Sequence, residues 1–152
     1  MNTNETLTKT AMEIAYKAHE GQTRNDKVTP YFTHPFAVAK RLKDQGEPDE
    51  VVAAGFLHDV LEDTKTTAQS LLQAGIPVSV VDAVVLLTKP KEPRVSNGEY
   101  IRRIKANEIA RKVKIADMLH NIGDKPNNRQ IMRYARGLLC LVDYHAKHNI
   151  AK

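Results

Sequence analysis

The chain has 152 residues, of which 41% are hydrophobic and 27% charged, and its formal net charge is +5. This length predicts one domain over residues 1–152, and this composition excludes a disordered chain. With three phenylalanines, five tyrosines and no tryptophan, an aromatic platform for single-stranded nucleic acid is not expected.

Three features bear on where the protein is found. No apolar run approaches the roughly 18 residues of a membrane-spanning helix, and the first ten residues lack the basic-then-apolar pattern of a signal peptide. Cys140 is the single cysteine, so an internal disulfide cannot form. These features predict a cytoplasmic protein without membrane contact.

Helical spacing of apolar residues, divided by glycine and proline, predicts an all-α fold. Pro35, Pro48 and Pro77 stand where helices begin, and Ser96 with Glu99 has capping-box spacing. The valines after Pro77 favour a strand by propensity, but the starting proline and the helical neighbours predict a helix. The predicted helices lie at 5–20, 35–44 after Thr33 or His34, 48–63, 66 or 67 to 75, 77–87, 97–106, 108–122, and from 127 or 128 onwards.

Positive charge is concentrated in the second half of the chain. Residues 1–88 carry a net charge of −4, whereas residues 89–114 carry +6. Such a block suits a polyanion, either nucleic acid or a polyphosphorylated small molecule, and a solvated helix surface explains it equally well. Its basic residues are Lys89, Lys91, Arg94, Arg102, Arg103, Lys105, Arg111, Lys112 and Lys114.

The segment LHDVLED at 57–63 carries the strongest chemical signal. On one continuous helix, His58, Asp59, Glu62 and Asp63 would share a stripe, directly after the apolar residues 51–57 that predict a buried helix. Three carboxylates at a buried helix end repel one another and are costly to desolvate, and a bound cation removes that cost. The alternative is a frayed and exposed acidic helix end.

Two weaker signals complete a candidate metal site. His34 stands at a predicted helix start, where a histidine is usually structural, and Asp117 lies four residues before Asn121 on a predicted helix. Together with His58 and Asp59, they offer two nitrogens and two oxygens, a donor set that suits Mn²⁺, Fe²⁺ or Zn²⁺.

Five segments in order resemble the HD-domain superfamily, and within it the hydrolase domains of the Rel/Spo alarmone enzymes and the small alarmone hydrolases. The resemblance covers residues 7–124. The segments are AYKAHEGQTR at 15–24, YFTHPFAVAKRL at 31–42, VAAGFLHDVLEDT at 52–64, LLTK at 86–89 and VKIADMLHN at 113–121.

The resemblance implies a helical-bundle fold and removal of the 3′-diphosphate of guanosine tetra- or pentaphosphate, yielding pyrophosphate and GDP or GTP. Glu62 and Asp63 match the acidic pair that positions and activates the attacking water. Arg24 matches an arginine that packs against the purine base, and Asn121 matches an asparagine that contacts the nucleotide sugar. The divalent metal, commonly Mn²⁺ in this family, would be bound by His34, His58, Asp59 and Asp117.

The chain departs from the family pattern beside these residues. Asn25 stands where lysine commonly follows the base-packing arginine, and Met118 and Gly123 stand where basic residues are frequent, with Asp124 next. Because the metal set is intact, the departures bear on the substrate. They leave open an HD-domain phosphohydrolase acting on another nucleotide, and a non-catalytic module that senses nucleotides or binds nucleic acid through residues 89–114.

The remaining predictions concern packing and partners. A nucleotide polyphosphate is the expected small-molecule partner, nucleic acid is not expected, and hydrolysis alone is expected because no synthetase or regulatory segment follows. His19 and His120 are interpreted as packing or hydrogen-bonding residues, with a supporting role at the Asp117 site left open for His120. The leucines and valines at 138–142 favour packing or a dimer face, which leaves a homo-oligomer open.

Overall fold

The computed structural model describes residues 3–149, with side chains described for residues 6–142. Within that range nine helices form and no strand does, apart from one isolated bridge between Thr23 and Pro30, so the all-α prediction is confirmed. The helices are α1 Thr3–Ala18, α2 Thr33–Asp44, α3 Asp49–Leu57, α4 Val60–Asp63, α5 Ala68–Gln73, α6 Val78–Leu87, α7 Asn97–Lys105, α8 Glu108–Ile122 and α9 Asn128–Asn149.

Side-chain caps set several of these boundaries. The Thr67 hydroxyl accepts a hydrogen bond from the Ser70 amide, and Ser70 returns the contact, which forms a complete capping box at α5. At α7 the Ser96 hydroxyl accepts from the Glu99 amide. The Glu99 carboxylate pairs with Arg102 and Arg103. Of the two hydrogen bonds of the predicted capping box, the one accepted by Ser96 is therefore the one that forms.

Helix α3 lies at the centre of the fold and packs against α1, α2, α6 and α8. Residues 51–57 are all buried, as the sequence predicts for a helix that is apolar on every side. The centre of the bundle is therefore a helix without a polar face, and its C-terminal end delivers His58 and Asp59 into the interior.

The predicted single helix at 48–63 is wrong, because α3 ends at Leu57 and α4 begins at Val60. The His58 ring donates from Nδ1 to the Gly55 carbonyl at 2.7 Å. That carbonyl is the acceptor that a continuing helix would offer to the Asp59 amide. The side chain of His58 thus competes with the helix and produces a turn at His58 and Asp59.

Gly55 allows α2 to approach α3 closely. A Cβ atom at this position would lie 2.9 Å from Leu42 Cδ1 and 3.2 Å from Ala39 Cα. We expect Gly55→Ala to lower the free energy of unfolding by about 1–3 kcal/mol, because the helices must separate. Urea denaturation measures this change.

Gly98→Ala is the matched control for that experiment. Gly98 also lies in a helix, but no atom stands within 4 Å of the position that a Cβ would take there. The alanine is expected to leave stability unchanged or raise it by up to about 1 kcal/mol. Equal effects of the two substitutions would contradict the close packing of α2 on α3.

Candidate metal centre

Three separate elements bring the four predicted ligands together. His34 lies in the first turn of α2, His58 and Asp59 lie in the turn between α3 and α4, and Asp117 lies on α8. His34, His58 and Asp117 are all buried. The convergence of distant segments that the sequence suggests is therefore present in the fold.

The ligand atoms of these residues point at one position. His34 Nε2 lies 3.2 Å from His58 Nε2, 3.0 Å from Asp117 Oδ1 and 3.6 Å from Asp59 Oδ2. His58 Nε2 lies 3.0 Å from Asp59 Oδ2 and 3.6 Å from Asp117 Oδ1. Two ligands bonded to one transition metal at about 2.1 Å stand roughly 3.0–3.5 Å apart, so the spacing fits a shared cation.

The hydrogen bond of His58 supports the same conclusion. A carbonyl oxygen only accepts hydrogen bonds, so the His58 ring carries a proton on Nδ1, and Nε2, which faces the cluster, is the nitrogen that can bind a cation. Metal-binding histidines usually donate from the second ring nitrogen in this way. The residues present therefore fit a divalent metal.

The two aspartates are held as carboxylates. Burial opposes ionisation of Asp59, but the adjacent His58 outweighs it and lowers the pKa of Asp59 to about 2. Burial likewise opposes ionisation of Asp117, and the Lys114 ammonium outweighs it and holds the pKa of Asp117 well below its ordinary value. Both residues are thus charged acceptors at neutral pH.

Two residues that the sequence did not single out as positioning groups hold these carboxylates in place. Lys114 Nζ lies 2.7 Å from Asp117 Oδ2, and Tyr31 donates its hydroxyl proton to Asp59 Oδ2 at 2.7 Å. Lys114 stands one helical turn before Asp117, a spacing that could have revealed the pair in the sequence. No local pattern connects Tyr31 with Asp59, which lies 28 residues further on.

Glu62 and Asp63 lie beside the cluster of candidate ligands formed by His34, His58, Asp59 and Asp117. Oxygen atoms of Asp59, Glu62 and Asp63 lie within 4.8 Å of one another, whereas His58 groups with His34 and Asp59. The turn before α4 thus divides the predicted stripe in two, with Asp59 belonging to both groups. Burial raises the pKa of Glu62 and of Asp63, and the Lys89 amide holds Glu62 Oε1 at 2.8 Å.

Arg24 and Asn121, the predicted substrate contacts, touch each other. Arg24 Nη2 donates to Asn121 Oδ1 at 3.3 Å, and Asn121 Nδ2 donates to Asp117 Oδ1 at 2.8 Å. Arg24 also pairs with Asp124 and lies over the Tyr31 ring. A chain of hydrogen bonds therefore links the predicted base-packing residue to the metal centre.

A cavity of about 260 Å³ opens over the metal-ligand cluster. Its lining includes Glu62, Asp63 and three cationic residues: Lys89, Lys114 and Arg133. Arg133 belongs to α9, a helix for which the sequence indicates packing or a dimer face. A second cavity of about 660 Å³ is lined in part by Arg24 and His120.

The basic residues of the 89–114 block have different surroundings in the fold. Lys89 and Lys114 line the smaller cavity, whereas Arg102 and Arg103 are exposed and pair with Glu99. Lys112 pairs with Glu47. The solvated-surface interpretation therefore fits the arginines of α7, and the polyanion interpretation of the block stays a prediction.

The interpretations of His19 and of the 138–142 series as packing residues fit the structure. His19 is buried and contacts Gln22 through Nδ1 at 2.8 Å, which agrees with a packing and hydrogen-bonding role. Cys140 is partly buried against the core. In the 138–142 series Leu141 is buried and Leu139 is 70% exposed, so packing is confirmed and a dimer face stays a prediction.

The helical fold and the His/Asp cluster together define an all-α domain with a candidate metal-binding group. The chain belongs to the HD domain family, whose model matches residues 11–136. Among the helices of the described residues, none combines the length and apolarity needed to cross a membrane.

Relatives of known name extend this assignment. Over 117 residues the chain is 37% identical to a probable guanosine-3′,5′-bis(diphosphate) 3′-pyrophosphohydrolase of Synechocystis, and 38% identical to the bifunctional (p)ppGpp synthase/hydrolase SpoT of Escherichia coli. These matches cover 72% of this chain, but 15% and 16% of the relatives. The chain thus spans a small part of the length of these proteins.

A solved structure shares the fold. It is that of a metazoan ortholog of SpoT that hydrolyses ppGpp and plays a role in starvation responses. The likeness has a TM-score of 0.73 at 24% sequence identity and covers 91% of this chain and 84% of that chain. It supports the helical architecture described above.

Proposed function

We propose that this protein is a metal-dependent pyrophosphohydrolase that removes the 3′-diphosphate of guanosine tetra- or pentaphosphate, releasing pyrophosphate and GDP or GTP. The convergence of His34, His58, Asp59 and Asp117 within 3.0–3.6 Å contacts carries this proposal. The names of the relatives point to the same reaction.

The four converging side chains would hold the divalent metal, with Mn²⁺ as the proposed ion. When bound, such a metal lowers the pKa of a coordinated water and offsets charge on phosphate oxygens. The chain's contribution is to keep Asp117 ionised through Lys114, and to keep His58 Nε2 directed at the metal position through the hydrogen bond from Nδ1 to the Gly55 carbonyl.

Glu62 and Asp63 are the proposed proton acceptors. Hydrolysis adds a water oxygen to phosphorus and breaks the bond between that phosphorus and the ribose 3′ oxygen, so one proton moves from the water to the leaving oxygen. The carboxylates of the pair stand near Asp59, and the Lys89 amide fixes the orientation of Glu62. Burial raises the pKa of both carboxyl groups towards neutral pH, where a group accepts a proton from water most effectively.

Phosphate charge would be met by Lys89, Lys114 and Arg133, the cations that line the 260 Å³ cavity. We propose that this cavity takes the 3′-diphosphate of the nucleotide. The nucleoside would extend towards Asn121 and Arg24, which are joined to Asp117 by hydrogen bonds; Arg24 also borders the larger cavity.

Purified protein with Mn²⁺ and guanosine tetraphosphate is expected to release pyrophosphate and GDP in equal amounts. Coupled pyrophosphate detection and chromatography of the nucleotide measure the two products. Chelation of the metal by EDTA is expected to reduce the rate to background, and added Mn²⁺ to restore it. Absence of turnover with both guanosine and adenosine substrates would reject the substrate assignment.

A second candidate is hydrolysis of another nucleotide at the same metal centre. It is favoured by Asp124, whose carboxylate engages Arg24 at the proposed base-packing position. A substrate panel that varies the base and the phosphates, with identification of each product, separates the two candidates. Faster release of pyrophosphate from a non-guanosine nucleotide would support the second.

A further inference from the structure

The ring of His120 contacts His34 on the side that faces away from the other candidate ligands. His120 Nδ1 lies 2.7 Å from His34 Nδ1, on the opposite side of the His34 ring from the Nε2 atom that faces His58. The two rings are 4.8 Å apart between centroids and inclined by 42°. His120 can therefore form a hydrogen bond with His34 Nδ1, the ring nitrogen that does not face the other candidate ligands.

The direction of that hydrogen bond follows from the proposed role of His34. An imidazole that offers its Nε2 lone pair to a cation carries its proton on Nδ1. His34 Nδ1 must then donate, and the neighbouring His120 Nδ1 must accept. For His58 the corresponding acceptor is the Gly55 carbonyl, so His120 does for His34 what a backbone group does for the other histidine.

The alternative hydrogen-bond direction would disable His34 as a ligand. If His120 Nδ1 donated instead, His34 Nδ1 would accept and the His34 proton would sit on Nε2, facing Asp117 Oδ1 at 3.0 Å. The same atom cannot hold that proton and bind a metal. The tautomer of His120 therefore decides whether His34 is available.

We infer that His120 is a positioning residue for the metal centre, which accepts a hydrogen bond from His34 Nδ1 and thereby directs His34 Nε2 at the cation. This inference rests on the proposed metal site. It also gives α8 two roles at His34, because Asp117, one turn before His120 on the same helix, faces His34 Nε2, whereas His120 contacts His34 Nδ1.

Two substitutions separate this role from simple packing. His120→Leu removes the acceptor, whereas His120→Asn keeps a side-chain oxygen close to the position of Nδ1. Mn²⁺ alone is titrated into metal-free full-length protein and its affinity measured by calorimetry. The leucine variant is expected to bind Mn²⁺ about 10–100-fold more weakly, and the asparagine variant within about threefold of the unsubstituted protein.

The unfolding temperature of the metal-free proteins is measured in parallel, and similar values for both variants are expected. Undiminished affinity in the leucine variant would overturn the inference, and so would equal weakening in both variants, since that pattern indicates packing. Absence of Mn²⁺ binding by the unsubstituted protein would overturn the metal site itself and this inference with it. If the unsubstituted protein binds Mn²⁺ and the leucine variant binds it equally well, the metal site stands and the positioning role of His120 is overturned.

Discussion

Asp59→Ala is expected to reduce the bound metal to background and to abolish pyrophosphate release. Asp59 Oδ2 lies 3.0 Å from His58 Nε2, and Asp59 is the residue shared by the histidine group and the acidic group. Loss of a residue that merely supports a ligand costs about 10–100-fold in metal affinity, so loss of a ligand is expected to cost more. Metal analysis and the coupled pyrophosphate assay measure both effects.

Asp82→Ala is the control for this substitution. Asp82 is an exposed carboxylate on α6, outside the cavity lining, and removing it changes the net charge by the same amount. It is expected to leave metal content and turnover unchanged. Retention of full metal content by a folded Asp59→Ala protein, as judged by circular dichroism, would contradict the ligand assignment.

Glu62→Gln is expected to keep the metal and lose turnover by about 10²–10⁴-fold. The glutamine amide keeps an oxygen that can accept from the Lys89 amide, which lies 2.8 Å from Glu62 Oε1, but it accepts no proton at neutral pH. Metal content by elemental analysis and the rate constant under saturating substrate distinguish this result from the one expected for Asp59→Ala.

Asp63→Asn in parallel shows which carboxylate of the pair moves the proton. The residue whose amide variant loses the larger factor is the principal acceptor, since both belong to the acidic group around Asp59. Full activity in both amide variants would overturn the role proposed for the pair. Loss of metal from Glu62→Gln would instead place Glu62 among the ligands.

Much of the helical organisation could be predicted because its signals are local. Thr67, Ser96 and Asn107 cap helices with their own side chains, and their partners lie three residues away. The break at His58 could not be predicted in this way. Periodicity continues through the segment, and the helix ends because a histidine side chain takes the Gly55 carbonyl.

The candidate ligands could be named because their residue types are rare together in buried segments. The sequence left open which cations lie near the candidate metal ligands, and in the fold Lys89, Lys114 and Arg133 line the 260 Å³ cavity. The expected domain limits at 1–152, the cytoplasmic location and a homo-oligomer stay predictions. The positions of Arg24 and Asn121 agree with a shared substrate-binding role, which the substrate panel tests.

By itself the amino-acid sequence determined that the protein is helical and that its central helix is buried, because these properties depend on short-range periodicity and capping. The grouping of two histidines with two aspartates was indicated by the resemblance to the HD-domain superfamily. Only the tertiary structure decided that the Tyr31 hydroxyl donates a hydrogen bond to Asp59. The same holds for the contact between His120 and His34, which lie 86 positions apart in the chain. Such contacts arise where helices cross, and no local pattern encodes the partner that packing brings within hydrogen-bond distance.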